Sequence, residues 1–158
     1  SILVYDPYVD PERIKEMGAK PLGLDTLIEQ SDFITLHCST VPETVGLISA
    51  QRIALMKPSA YLVNTASAYV VDEEALAQAL RERRIAGAAF DVYQTWPVQP
   101  EDPLLKLDNV VLTPHIGGAT EETVARHSQM IAEDIERFLK GQRPKNMLNP
   151  QVWEKVVR

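Results

Sequence analysis

Short apolar runs rich in β-branched residues alternate with stretches of helical periodicity along most of this chain. The runs that predict strands are residues 2–5, 32–37, 60–64, 85–92 and 109–113. The stretches that predict helices are residues 11–17, 24–30, 49–56 and 72–84, followed by a long helix that ends near Gly141. Strands that alternate with helices at this interval are typical of βαβ units. The pattern therefore predicts an α/β fold with a mostly parallel sheet.

Two local patterns add detail to these elements. Apolar residues recur at helical spacing near the end of the chain, at Val124, Ile131, Ile135 and Phe138, and predict one apolar face on the long helix. The small residues of segment 86–89 predict that this strand packs closely against a neighbour.

Polar side chains gather where the predicted strands end. These positions are Asp6, His37, Asn64, Thr65, Asp91 and the segment 113–115. In open parallel sheets, ligands bind in the crevice at the carboxyl ends of the strands. One such residue alone would be a weak signal, but together they predict a ligand site at this edge of the sheet.

Composition narrows the class of protein. The 158 residues, 45% of them hydrophobic and 24% charged, have the mix of one globular domain. A net charge of −6 gives no electrostatic support for a general role on nucleic acid or a membrane surface. No apolar run approaches the ~18 residues of a membrane span. The single cysteine, Cys38, forms no internal disulfide, which fits a reducing compartment such as the cytoplasm.

Four segments together carry a family resemblance: residues 37–44, 62–66, 86–93 and 112–118. In this order and at this spacing they resemble the NAD-binding domain of the D-isomer-specific 2-hydroxyacid dehydrogenases, the family that includes phosphoglycerate dehydrogenase. The resemblance implies a Rossmann-type, doubly wound sheet and NAD as cofactor. It implies hydride transfer between nicotinamide and a small 2-hydroxy or 2-oxo compound, with no nucleic acid or membrane partner. It also implies a homodimer.

The resemblance assigns roles to three strand-end residues. Asp6 would accept hydrogen bonds from the adenosine ribose hydroxyls and repel the 2′-phosphate of NADP; alternatively it only caps the following turn. Asp91 would hold the nicotinamide carboxamide; alternatively it satisfies backbone N–H groups. His115 would be the proton donor, since imidazole titrates in the right range. The other cofactor-binding positions implied are Cys38, Ser39, Thr44, Thr65, Ala66, Ser67 and Gly117.

Two positions depart from the family pattern. Ser67 stands where the family has an arginine that grips the substrate carboxylate, and Trp96 stands where it has a glutamate that orients and charges the histidine. Glu101 and Asp102 follow closely and could substitute for that glutamate. We therefore expect an oxidoreductase with a less charged substrate or weak activity. The alternative is a non-catalytic NAD-binding sensor or interaction module, and a third reading is that both changes are tolerated.

The fold's usual opening is missing. No Gly-x-Gly-x-x-Gly turn occurs in the chain, and its first predicted strand corresponds to the second strand of the family fold. Strand 1 is central in the order 3-2-1-4-5-6, so its absence should separate two strands from the rest. We expect residues before Ser1 in the natural protein to supply that strand, the glycine turn and a substrate domain. Residues 1–141 would be a partial NAD-binding domain, and 142–158 a tail returning toward the substrate domain.

Overall fold

The computed structural model describes residues 1–156, which form an α/β fold with parallel strands. The chain divides into two compact units, Ser1–His115 and a second that begins at Ile116. The strands of the first unit are β1 Leu3–Val4, β2 Lys20–Pro21, β3 Phe33–Leu36, β4 Tyr61–Asn64, β5 Gly87–Phe90 and β6 Val110–Leu112. Its helices are α1 Pro11–Glu16, α2 Leu24–Gln30, α3 Ala50–Leu55 and α4 Glu73–Arg81, with 3₁₀ turns at Ala68–Val70 and Pro103–Lys106.

Side-chain caps begin most of the longer helices where the sequence places an Asp, Ser or Thr. The Asp10 carboxylate accepts from the Glu12 N–H at the start of α1, and the Asp72 carboxylate accepts from the Ala75 N–H in α4. The Ser49 hydroxyl does the same for α3. These acceptors satisfy backbone donors that have no partner inside the helix, which is why the helices begin at these residues.

The strands form two separate parallel sheets. β1 pairs with β2, Leu3 opposite Lys20, while β3, β4, β5 and β6 form a four-stranded sheet in that order. The predicted separation of two strands from the rest is therefore confirmed. β2 was not predicted, because a two-residue strand ending in Pro21 shows no alternation and contains a residue that usually interrupts a ladder.

One face of the four-stranded sheet carries the core of the first unit. Ile34, Leu62 and Ala88 lie on this face in neighbouring strands and are buried beneath α2, α3 and α4. Gly87 lies on the opposite face, where an added Cβ would be 2.7 Å from the Asn109 carbonyl oxygen and 2.9 Å from the Tyr61 ring. This confirms the close approach predicted from the small residues of β5.

The second unit consists of a long helix, α5 Glu121–Leu139, a 3₁₀ turn Pro150–Val152 and a short helix, α6 Trp153–Val156. The Thr120 hydroxyl caps α5 by accepting from the Thr123 N–H. No described side chain of α5 is buried. Ile131, Ile135 and Phe138 line one open groove of about 500 Å³, so these three share a face as predicted. The predicted domain boundary at residue 141 stays a prediction.

Within residues 1–156, no helix combines the length and the apolar character that crossing a membrane requires.

Candidate functional site

Five of the predicted strand-end residues lie at one edge of the four-stranded sheet. Asn64 ends β4, and the residues that directly follow the four strands are His37, Thr65, Asp91 and Thr113. The register aligns the last residues of β3, β4, β5 and β6, so the four strands reach this edge together. This is the edge at which parallel sheets place their ligand sites.

Asp91 and Thr113 are joined by a short hydrogen bond. Asp91 is only 6% exposed, and its Oδ1 accepts from the Thr113 hydroxyl at 2.5 Å. The backbone continues the sheet ladder beyond the strands, because Asp91 N–H donates to Asn64 O and Thr113 N–H donates to Phe90 O. A buried carboxylate needs such partners, so the strand end holds the Asp91 side chain in a defined position.

Tyr93 links the β5 end to the β6 end. Its hydroxyl donates to the Thr113 carbonyl oxygen at 2.8 Å. Burial raises the pKa of Tyr93, and the nearby Asp91 and Asp102 carboxylates raise it further. The hydroxyl therefore stays protonated and keeps donating at neutral pH. No sequence pattern predicted a role for Tyr93, since only the fold brings its hydroxyl to Thr113.

His115 follows in a tight turn with an unusual backbone. Its φ is +56°, in the left-handed region that few residues with side chains adopt. Its N–H donates to the Thr113 carbonyl oxygen at 2.9 Å, so that oxygen receives both the His115 amide and the Tyr93 hydroxyl. The His115 side chain is exposed, so a ligand can reach its imidazole.

An indole takes the place expected for a carboxylate. Trp96 is 63% exposed, and its ring centre lies 6.4 Å from that of His115 with the planes 77° apart. The same indole lies 6.0 Å from the Tyr93 ring. Asp102, one of the two acids considered as a substitute, caps the 3₁₀ turn at residues 103–106 by accepting from the Leu104 N–H.

The loop that carries Ser67 is built by a buried amide. Asn64, fully buried, accepts from the Ala66 and Ser67 N–H groups and donates to the Ser67 carbonyl oxygen at 2.8 Å. The Ser67 hydroxyl accepts from the Thr40 hydroxyl at 2.7 Å and from the Tyr69 N–H at 3.3 Å. Two predicted site segments, 38–44 and 64–67, therefore meet at Ser67. An asparagine ending a strand before small residues was the sequence signal for this loop.

The segment 38–44 is organised largely by itself. The Thr44 hydroxyl donates to Ser39 O at 2.7 Å and accepts from the Val41 N–H at 2.9 Å, which is the geometry of a surface turn. Cys38 is half-buried against the core as a free thiol, and Thr65 is exposed. The cofactor contacts expected of these residues stay predictions.

The residue predicted to bind the ribose lies after a strand of the other sheet. Asp6 is exposed after β1, and its Oδ1 accepts from the Tyr8 N–H at 2.9 Å, so the turn cap considered as its alternative role is present. A carboxylate has about four acceptor sites, so the cap leaves room for ribose hydroxyls. Gly117 belongs to the second unit. The roles of both residues stay predictions.

Comparison with known proteins decides the family. The family model described as the D-isomer specific 2-hydroxyacid dehydrogenase, NAD binding domain, matches residues 1–117. The chain belongs to this family. Its domain binds NAD, and hydrogen-bond acceptors of the chain fit that cofactor at two places. Carboxylates at Asp6 and Asp91 are acceptors suited to ribose hydroxyls and to the N–H groups of a carboxamide.

Individual relatives agree with this assignment. A glyoxylate reductase from Korarchaeum cryptofilum is 44% identical over 151 residues, which cover 96% of this chain and 46% of the relative. A D-3-phosphoglycerate dehydrogenase from Archaeoglobus fulgidus is 44% identical over 149 residues, covering 94% of this chain and 28% of the relative. This dehydrogenase-family chain thus spans less than half the length of these relatives.

A solved structure also shares the fold. The NAD-complexed D-isomer specific 2-hydroxyacid dehydrogenase from Lactobacillus delbrueckii ssp. bulgaricus matches with a TM-score of 0.82 and 32% identity. The match covers 94% of this chain and 48% of that structure. The predicted Rossmann-type fold and the family resemblance are confirmed.

Proposed function

We propose that this chain is the NAD-binding part of an oxidoreductase that transfers hydride between nicotinamide and a small 2-hydroxy or 2-oxo compound. The observation that carries the proposal is the strand-end network: a buried Asp91 carboxylate bonded to Thr113, whose carbonyl oxygen also fixes the turn of His115. This network supports the proposal that Asp91 accepts hydrogen bonds from the cofactor's carboxamide and that His115 transfers the proton.

Each of these residues has a part in the reaction. The bound cofactor would supply or accept the hydride. Asp91 would hold its carboxamide by accepting hydrogen bonds from the N–H groups. His115 gives a proton to the carbonyl oxygen while the carbonyl carbon takes the hydride, so a 2-oxo compound becomes a 2-hydroxy compound and the imidazolium becomes neutral.

Ser67 and Trp96 set the substrate class. At the position where the family has arginine, Ser67 presents a neutral hydroxyl already bonded to Thr40. Losing a charged hydrogen bond to a carboxylate costs ~1.5–3 kcal/mol. We therefore propose a substrate whose end next to the carbonyl carries less negative charge than that of the 2-oxo acid glyoxylate, which appears in the name of a relative. Trp96 supplies an apolar wall.

A further strand would join the two sheets. The β1–β2 sheet and the sheet that begins at β3 share no ladder, which supports such a strand, with the glycine turn for the cofactor's diphosphate. We propose that these, and a substrate domain reached by residues 142–158, lie elsewhere in the natural protein. A homodimer and a cytoplasmic location complete the proposal. The cytoplasmic location is supported by the single free thiol of Cys38.

Substrate charge offers the first test, in the longest form of the protein that its gene encodes. Ser67→Arg should raise kcat/KM for glyoxylate by about tenfold or more, because the guanidinium restores the charged hydrogen bond. Ser67→Met, similar in length but neutral, is the control and should give no gain. If the arginine variant gains nothing while NADH binding is intact, the altered-dehydrogenase reading fails.

NADH binding separates the enzyme from its alternative. Asp6→Ala should weaken NADH binding, measured by cofactor fluorescence, by ~1–2 kcal/mol for one lost charged hydrogen bond. An unchanged dissociation constant would reject the ribose role of Asp6. Tight NADH binding without turnover of any 2-oxo compound, in the parent and in Ser67→Arg alike, would instead favour a non-catalytic NAD-binding module.

A further inference from the structure

We propose that Trp96, held by Tyr93, is a positioning residue that orients the imidazole of His115 in place of the family's carboxylate. The inference rests on the proposed function insofar as His115 is the proton donor. It accounts for the orientation of a histidine that has no glutamate at the position where the family has one.

The contacts around His115 form a closed loop that begins and ends at Thr113. The Tyr93 hydroxyl is anchored on the Thr113 carbonyl oxygen at 2.8 Å, and its ring lies 6.0 Å from the Trp96 ring. The Trp96 ring lies 6.4 Å from the His115 imidazole in an edge arrangement. The His115 amide returns to the same Thr113 oxygen at 2.9 Å. The backbone and the ring of His115 are thus both linked to the carbonyl oxygen of Thr113. The backbone is linked directly, and the ring is linked through Trp96 and Tyr93.

The ring arrangement is one that aromatic groups favour. Aromatic pairs prefer edge-to-face or offset geometry with centroids roughly 4.5–7 Å apart. The Trp96–His115 pair, at 6.4 Å and 77°, is inside this range. Such a contact restricts the rotation of the imidazole without placing a negative charge beside it. The His115 backbone is held by its turn, so the side-chain torsions are what Trp96 must restrict.

Tyr93 supports the Trp96 ring, which is largely exposed. The indole is 63% exposed, so burial alone does not fix it. Tyr93 is half-buried, and its hydroxyl bond ties it to the strand end that carries Asp91 and Thr113. A second tie reaches the same segment from the Ser67 loop, where the Tyr69 hydroxyl contacts the Gln94 carbonyl oxygen at 3.5 Å.

The first readout does not require turnover. In NMR spectra of the longest form of the protein that its gene encodes, we expect nuclear Overhauser contacts between the Trp96 indole and the His115 ring protons, and restricted motion of that ring. Trp96→Ala should abolish the restriction, and Trp96→Phe should keep most of it. Tyr93→Phe should weaken it because the ring remains and the hydroxyl anchor is lost. Trp153→Ala, which removes the other tryptophan, is the control and should change nothing at His115.

The second readout is kinetic, in the longest form of the protein. Trp96→Ala should lower kcat for 2-oxo reduction by about tenfold or more, since small misplacements of a catalytic group are costly, and leave the KM for NADH unchanged. Trp96→Phe should retain most of the kcat of the parent protein.

The two readouts test the positioning role and the proposed function independently of each other. An equally restricted His115 ring in Trp96→Ala overturns the positioning role, whether or not the protein turns over. A restricted ring that Trp96→Ala frees, in a protein that reduces no 2-oxo compound, supports the contact and overturns the proposed function instead. Unchanged amide signals in β3–β5 confirm that the variants are folded.

Discussion

Two amphipathic helices of this chain differ in whether their apolar face is buried. α4 begins at an aspartate cap and buries Leu76, Ala77, Ala79 and Leu80 in the core of the first unit. α5 begins at a threonine cap and buries none of its described side chains, although Ile131 and Phe138 are large and apolar. The local sequence signals of the two helices are equivalent. A cap and an apolar stripe therefore predict a helix and its face, but not whether that face is covered within the same unit.

The two helices should accordingly draw stability from different sources. α4 rests on burial of apolar surface, which contributes about 25 cal/mol per Å². α5 rests on local contacts: its cap, side-chain pairs one turn apart such as Gln129 with Glu133 at 2.9 Å, and hydrogen bonds from the following segment to Asp134.

The largest effect should come from a matched pair of leucine truncations. Leu76→Ala removes a fully buried side chain of α4 and should destabilise the protein by about 2–5 kcal/mol, because it leaves a cavity. Leu139→Ala removes a side chain of α5 that is 78% exposed and should change stability by less than about 0.5 kcal/mol. Urea unfolding measures both. Equal losses would show that the contrast between the helices is wrong.

Two glycines extend the comparison to close packing. Gly87→Ala would put a Cβ 2.7 Å from a backbone oxygen, and overpacking of this kind costs roughly 1–3 kcal/mol. Gly118→Ala in the second unit meets nothing within 4 Å and should be nearly neutral. Thermal unfolding of the two variants, compared with the parent, checks this. A neutral Gly87→Ala would contradict the close approach of β5 to its neighbours.

The smallest effect concerns the local contacts of α5. Hydrogen bonds from the Lys145 and Asn146 backbone hold the pKa of Asp134 below its usual 3.8. A lowered folded-state pKa stabilises the folded form above the unfolded pKa, and this contribution is lost as pH falls through the folded value. Asp134→Ala should therefore disorder residues 145–146 at neutral pH, and differ less from the parent in acid. Amide exchange at Lys145 follows this directly.

Glu136→Ala is the control for that experiment, because Glu136 pairs with Lys140 within the helix and, among the described residues, makes no hydrogen bond to the segment at 145–146. Protection of the Lys145 amide that is the same in parent and Asp134→Ala would rule out the tethering role.

Sequence patterns predicted most of the first unit because its elements are long enough to show a period. The strands β1 and β3–β6 and the helices α1–α4 lie where the sequence patterns predicted them. The exception is β2, whose two residues, Lys20 and Pro21, pair only because β1 lies alongside. The predicted strand over 85–92 is shorter in the structure, at Gly87–Phe90, because the ladder there is limited by its neighbours.

The candidate site, like the fold, could be predicted only in part from the sequence. Asp91, Thr113 and His115 could be placed at one edge from strand ends and motifs alone. The contacts of Tyr93 with Thr113 and of Trp96 with His115 could not, because they depend on how a loop after β5 folds back on the end of β6. A substitution of glutamate by tryptophan looked from the sequence like the loss of an orienting group, whereas the structure has an aromatic contact at that place.

The most direct test of the central claim follows one hydrogen atom. NADH carrying deuterium at C4, in separate samples labelled on either face, is incubated with the longest form of the protein and glyoxylate or a less charged 2-oxo compound. We predict deuterium at C2 of the 2-hydroxy product from one labelled face only, and none with His115→Gln. Saturable NADH binding without deuterium transfer from either face would contradict the claim that this edge of the sheet is a hydride-transfer site.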